Sequence, residues 1–286
     1  MNMSQSTANR ARCAYLALLS ALSVLGGCAF QGGAVALSAP DDETAVARSA
    51  LAIGSYSNEY TWERDEPSKR MLPTSKGVCF LTGVHGTFRG TSETVKVSNV
   101  GGFWYLTGFS HQPGVGATAR CFPYDPSKVV ATQLAESTAR GDLDLGAHAM
   151  CGLSRVSGAF GSAKDAVHVY RADSGHWFLQ TSASSGEIDG GAICLDDDPA
   201  TPVSVSQAAH VRAGEALIVA GNLTPKGGGP TEPLTGPVCF LTRIAGDFSR
   251  GASAATYVAA AAGTWNYYLQ AASAESEVAT SGVCIN

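Results

Sequence analysis

One pattern recurs three times in this chain and constrains most of what it can fold into. Cys79 is followed at steps of two, five, seven and nine by Leu81, Val84, Gly86 and Phe88. Cys151 is followed at the same steps by Leu153, Val156, Gly158 and Phe160, and Cys239 by Leu241, Ile244, Gly246 and Phe248. Four offsets held in register three times mark an internal repeat. A second signature lies further along each copy: Gly102-Phe103-Trp104, Gly175-His176-Trp177 and Gly263-Thr264-Trp265. The Trp precedes a later cysteine by 17, 17 and 19 residues, so the third copy carries two extra residues, placed most simply in a bulge or longer turn around 266–268.

The repeat also orders the cysteines. Six of the eight fall in pairs separated by 42, 43 and 45 residues. Identical units should close identical loops, which predicts Cys79–Cys121, Cys151–Cys194 and Cys239–Cys284 as disulfides. A zinc site is the rival use, but the sequence has no Cys-x-x-Cys or Cys/His cluster.

Within a unit the reading is all strand. Segments 79–84, 93–97, the stretch holding Trp104 and 117–122 form the first set. Their counterparts are 166–170, 191–195, 254–259 and 281–285, with turn residues such as Asn99-Val100-Gly101-Gly102 between them. Extra strands are expected at 58–62, 129–134 and 215–220. Alternation gives each unit one apolar side and one side rich in Ser and Thr. The alanine runs at 259–262 and 271–274 invite a helix, but the repeat register assigns them to strands. The expected fold is therefore all-β, with three antiparallel units each braced by one disulfide. The units could stand as separate small β-domains or share one core about a pseudo-threefold axis; the long connections at 122–150 and 195–238 favour separate units.

The N-terminus reads as an address. Arg10 and Arg12 precede an apolar run from Cys13 to Leu25, too short to span a bilayer as a mature helix. Leu25-Gly26-Gly27-Cys28 resembles the bacterial lipobox, and that resemblance implies cleavage before Cys28 and lipidation of its sulfur and new amino group. Ala29 follows rather than Asp, which by the same analogy favours the outer membrane over the inner. Residues 1–27 are thus the signal peptide and 28–52 a flexible tether. The three β-units then span 53–124, 125–197 and 198–286. Loss of the two arginines leaves 17 basic against 24 acidic residues, a net charge of −7, which argues against nucleic acid as a partner.

No Gly-x-Ser-x-Gly elbow, His-Glu-x-x-His motif or phosphate loop is present, and Gly114-Val115-Gly116 leads into a strand, so it reads as a turn. None of the six histidines recurs in all three units. Asp142, Asp144 and Asp196-Asp197-Asp198 could offer oxygens to Ca²⁺, but the simpler reading is solvated inter-unit loop. No catalytic residue, metal or cofactor is expected. A Trp repeated beside a disulfide is a core anchor. Tyr56, Tyr60, Trp62 and Tyr124 are less bound to the repeat and are the candidates for exposed contacts. Arg155 and Arg243 sit at equal offsets, where unit one has Gly83.

The pattern Cys-Phe-Leu-Thr, Gly-x-Phe, Gly-x-Trp-Tyr-Leu, Ala-Arg-Cys resembles a repeat of secreted and cell-surface bacterial proteins of unassigned role, over roughly 56–286. Unit two departs from it at Gly152. The expectation is a lipid-anchored exported protein with a binding or surface-structural role. Its partners would be the membrane, through Cys28, and a glycan or surface protein. The alternatives are a cell-envelope hydrolase acting through its long loops, or an inhibitor presenting a braced loop.

Overall fold

The repeat's apolar steps become strands that exchange partners between units. The computed structural model describes residues 57–125, 127, 129–135, 141–196, 205–207, 211–225, 234–235, 238–261, 264–273 and 277–285, all within a single compact unit. Unit one supplies β1 (Tyr60–Glu63), β2 (Lys69–Pro73), β3 (Val78–Gly86), β4 (Thr94–Val100), β5 (Phe103–Phe109) and β6 (Gly116–Phe122). Unit two supplies β7 (Val129–Ala135), β8 (Gly141–Gly146), β9 (Met150–Gly158), β10 (Gly161–Arg171), β11 (Trp177–Ser182) and β12 (Ile188–Leu195). Unit three begins with β13 (Val205–Gln207), β14 (Val211–Arg212), β15 (Ala216–Pro225) and β16 (Leu234–Thr235). It ends with β17 (Val238–Asp247), β18 (Ala252–Ala261), β19 (Thr264–Ser273) and β20 (Val278–Ile285). No α-helix occurs among the described residues, and the alanine-rich β18 and β19 are paired along their whole length.

Each opening strand pairs with the closing strand of its own unit: β3 with β6, β9 with β12, β17 with β20. On its other edge it pairs with a hairpin from the preceding unit, cyclically. The β4–β5 hairpin joins β9, the β10–β11 hairpin joins β17, and the β18–β19 hairpin returns to β3. Three antiparallel sheets result, each built from two units. The preference for separate units is therefore corrected. The long connections carry strands across to neighbouring sheets, and the three units share one core.

That core is organised about a pseudo-threefold axis. Phe88, Phe160 and Phe248, the last residue of the repeat pattern, meet edge to face with ring centroids 5.9 to 6.2 Å apart. Their backbones close a ring: Phe88 N–H donates to Phe248 O (3.1 Å), Phe160 to Phe88 (2.9 Å) and Phe248 to Phe160 (2.9 Å). One residue after each opening cysteine, Phe80 and Phe240 pack at 4.7 Å with Phe122 beside them. Unit two has Gly152 there, and a Cβ on it would lie 2.8 Å from the Phe80 ring. The departure at Gly152 thus makes room at a crowded axis for the ring of another unit.

The glycine of the repeat has an equally local cause. Gly86, Gly158 and Gly246 have φ of 106°, 114° and 116°. A Cβ at Gly158 would sit 2.0 Å from the Glu187 carbonyl oxygen, and its two counterparts are equally blocked by backbone. Between cysteine and glycine, Thr82, Ser154 and Thr242 each occupy a β-bulge where the opening strand gains one residue on its closing partner. All three are buried, so the opening strands lack the expected Ser/Thr-rich outer side; both their faces are covered.

The three disulfides are the ones the repeat predicts, and each joins directly opposed residues of an opening and a closing strand, with Cα atoms 3.9 to 4.1 Å apart. Trp104 and Trp177 are buried, their indole N–H groups donating to the carbonyls of Gly77 and His148. Unit three differs. Tyr257↔Tyr268 is the register counterpart of Tyr170↔Phe178, so the core position of Trp177 is filled by the fully buried Tyr267, not by Trp265. The ladder runs unbroken to Ala261↔Thr264. The extra residues lengthen the hairpin arms instead of forming a bulge at 266–268.

Candidate functional site

Exposed chemistry concentrates on the outer face of the sheet containing β8, β11, β10 and β17. Alternation sets it up: Val167, Val169, Trp177 and Leu179 are buried, so His168, Tyr170, Phe178 and Gln180 between them point outward. Tyr170 stacks on Phe178 (5.6 Å, 21°) and on His168 (5.0 Å, 29°), giving a run of three near-parallel rings. At right angles to the strands, Arg243, His168, Gln180 and Asp142 stand opposite one another on four successive strands. At strand spacings of about 4.8 Å that row covers roughly 14 Å, the length of a short oligomer.

The polar groups at the β8 end are fixed. Asp142 accepts hydrogen bonds from the Tyr170 hydroxyl (2.9 Å) and the Gln180 amide (2.7 Å). Asp144, two residues on, meets the His176 ring at 3.0 Å and accepts from the Gly146 N–H at 2.8 Å; those two bonds hold its carboxyl below the ordinary aspartate range. Burial, the bond to Asp142 and that carboxylate's charge raise the Tyr170 hydroxyl. At the β17 end, burial lowers the pKa of the Arg243 guanidinium.

The other units carry partial versions. Unit three has Tyr257 stacked on Tyr268 (5.3 Å, 16°) at the equivalent register. Unit one has Ser98 opposite Tyr105 there, with Arg70 over the Phe103 ring at 4.7 Å and Phe109 half exposed against His111. Unit two therefore has the fullest set of rings with a polar clamp.

The residues singled out from the sequence lie elsewhere. Trp62 is only 2% exposed; its N–H donates to the Glu66 carbonyl (2.9 Å), and Gly108 leaves space for its six-membered ring. It is core, which corrects its reading as an exposed contact. Tyr60 is half-buried against the same core, and burial raises its hydroxyl. Tyr124 is half-buried too, edge-on to Phe122, with its hydroxyl donating to the Asp196 carbonyl. Tyr56, Cys28 and the pair Asp197 and Asp198 lie outside the described residues. Asp196 meets His148 at 2.8 Å, and Asp142 and Asp144 lie on an edge strand rather than in a loop. No cluster of three metal-ligating side chains occurs among the described residues.

A buried charge in unit one is structural. Arg120 is 1% exposed, donates to the Ser57 carbonyl (3.0 Å) and lies 3.7 Å from the Glu59 carboxylate. Burial raises the Glu59 carboxyl against the opposing pull of Arg120. The signal for the ring face was present in His168-Val169-Tyr170 and Trp177-Phe178. Once Trp177 is core, alternation turns Phe178 outward. The signal is masked in the sequence because a Trp repeated beside a disulfide reads as a core anchor, and Phe178 directly adjoins it. Compared with family models and with curated proteins, the sequence matches none.

Proposed function

We propose that the mature chain is an exported, lipid-anchored binding protein that holds a saccharide on the outer face of β8, β11, β10 and β17. The observation that carries this reading is the run His168–Tyr170–Phe178 beside an Asp142 held by Tyr170 and Gln180. The apolar face of a pyranose packs on aromatic rings while fixed polar groups take its hydroxyls. Anchoring follows from Leu25-Gly26-Gly27-Cys28, and three disulfides suit an oxidising compartment. Binding fits this face better than glycoside hydrolysis. Asp142 has both carboxylate oxygens engaged, one by the Tyr170 hydroxyl and one by the Gln180 amide, and Asp144 is engaged by His176 and the Gly146 N–H, an arrangement that fixes them as a clamp.

A glycan array probed with the mature chain tests this. The account expects a defined saccharide class to bind, and a Tyr170→Ala/Phe178→Ala variant to lose at least tenfold in affinity while melting as a folded protein. Binding by that variant at the wild-type level would refute it. Fractionation of the Cys28→Ala protein tests the anchor; continued partition with membranes would exclude it.

A further inference from the structure

The six-stranded sheet β2-β5-β4-β9-β12-β7 carries the opposite charge to the chain as a whole. Its strands contain Lys69, Arg70, Lys96 and Arg155 and a single acid, Asp189, in a chain of net charge −7 once its N-terminal segment is removed. Alternation sets the outer face: Val95, Val97, Trp104 and Leu106 are buried, so Lys96 and Val100 of β4 and Phe103, Tyr105 and Phe109 of β5 point outward. Val100 and Phe109, 60% and 52% exposed, are the two most exposed large apolar side chains among the described residues. They mark the two ends of the β4–β5 hairpin, about 20 Å apart at roughly 3.4 Å per residue. The cations between them are poorly satisfied. Lys96 has no hydrogen bond or ion pair among the described residues, and it stands directly opposite Arg155 on β9. Arg155 makes a single long bond through its side chain, to Asp189 at 3.3 Å, and its Nε is buried without a partner. Arg70 lies on the Phe103 ring, 4.7 Å from its centroid, with no carboxylate beside it among the described residues.

Like charges directly opposite on neighbouring strands cost stability. An external anion over Lys96 and Arg155 relieves that cost, and the apolar ends of the hairpin favour an anion carried on an apolar body. A bilayer surface supplies both. Cations meet its anionic headgroups while exposed apolar and aromatic side chains enter its interface. We infer that the outer face of β2, β5 and β4 docks on the anionic surface of a membrane. This rests on the lipid anchor proposed above and adds an orientation to it. The saccharide face belongs to another of the three sheets, so docking here leaves His168, Tyr170 and Phe178 open. So few free cations hold too weakly to retain an unanchored chain on a membrane; the contact orients a chain that its lipid already holds.

Cosedimentation of the mature chain carrying Cys28→Ala, and so no lipid, tests the face apart from the anchor. At low ionic strength, vesicles of equal parts phosphatidylglycerol and phosphatidylcholine should bind it at least about tenfold more tightly than phosphatidylcholine alone, and high salt should abolish the difference. A Lys96→Glu/Arg70→Glu variant should lose the preference while melting near wild type, since the new carboxylate faces Arg155. Val100→Ser/Phe109→Ser should weaken binding to the mixed vesicles severalfold. Lys164→Glu, on a strand of another sheet, should leave the preference in place. Equal binding to the two vesicles, or a wild-type preference in the Lys96→Glu/Arg70→Glu variant, would overturn the docking face and leave the anchor standing. So would dimerisation that this variant abolishes, without any vesicle binding, which would make the face a contact between two copies of the chain. Partition of the Cys28→Ala chain with membranes after a high-salt wash would exclude the anchor and, with it, the orientation.

Discussion

Replacing Gly152 by Phe restores the residue that the other two units carry, yet it should destabilise the protein. The Cβ alone would lie 2.8 Å from Phe80 Cδ1, about 1 Å inside normal carbon contact, before any ring is added. Overpacking of this kind costs about 1–3 kcal/mol. Phe80→Ala alone should cost about 3–5 kcal/mol, because Phe80 is fully buried against Phe240 and Phe122. If units one and two were independent, the double variant would lose the sum, about 4–8 kcal/mol, much of a typical domain's stability of about 5–15 kcal/mol. Across a shared axis the new ring instead fills the space that Phe80 vacates. The double variant should then lose no more than Phe80→Ala alone, a coupling of at least about 1 kcal/mol. Urea denaturation of the four proteins with disulfides intact measures this. Additive losses, or a Gly152→Phe protein as stable as wild type, would refute the shared axis.

Three further outcomes follow from the same geometry. Gly158→Ala forces a left-handed φ on a residue with a Cβ and drives that atom into the Glu187 carbonyl, so it should cost at least about 1–2 kcal/mol in denaturant midpoint experiments, where Gly161→Ala, with open space at its Cβ, should cost far less. Replacing both Cys239 and Cys284 by Ala opens a loop of 45 residues and should lower stability by about 4 kcal/mol on the loop-entropy model, read as a fall in Tm; an unchanged Tm would show that the bond is not formed. Burial raises Glu59 above its ordinary value, so its contribution to stability is fully present below about pH 4.5 and is lost as pH rises through the folded value. The stability of wild type relative to Glu59→Gln should therefore fall across that window, and a difference independent of pH would contradict the assignment.

Strand placement and disulfide pairing were legible because they depend on spacing within one unit. Cys79, Leu81 and Gly86 report their own strand, and the long β18–β19 arms follow from repeat register even though alanine favours helix. The partner of each hairpin was not legible, since Val95 or Val167 buries equally well against its own unit or the next. Gly152 makes sense only once Phe80 of another unit is beside it. The Trp265 position was misread for a related reason. Two added residues slide that motif outward along the hairpin and leave Tyr267 in the core. At the site, Trp62 looked exposed because nothing local signals the space that Gly108, 46 positions later, leaves for its ring. The His168, Tyr170 and Phe178 rings were readable by alternation alone, but their clamp was not, because Asp142 arrives on an edge strand read as loop.

The most direct measurement is a backbone and aromatic NMR titration of the mature chain with the best-binding oligosaccharide from the array. The account predicts shifts concentrated on Asp142, His168, Tyr170, Phe178 and Gln180. Shifts confined to β2, β4 and β5, or to any surface away from β8, β11, β10 and β17, would contradict it.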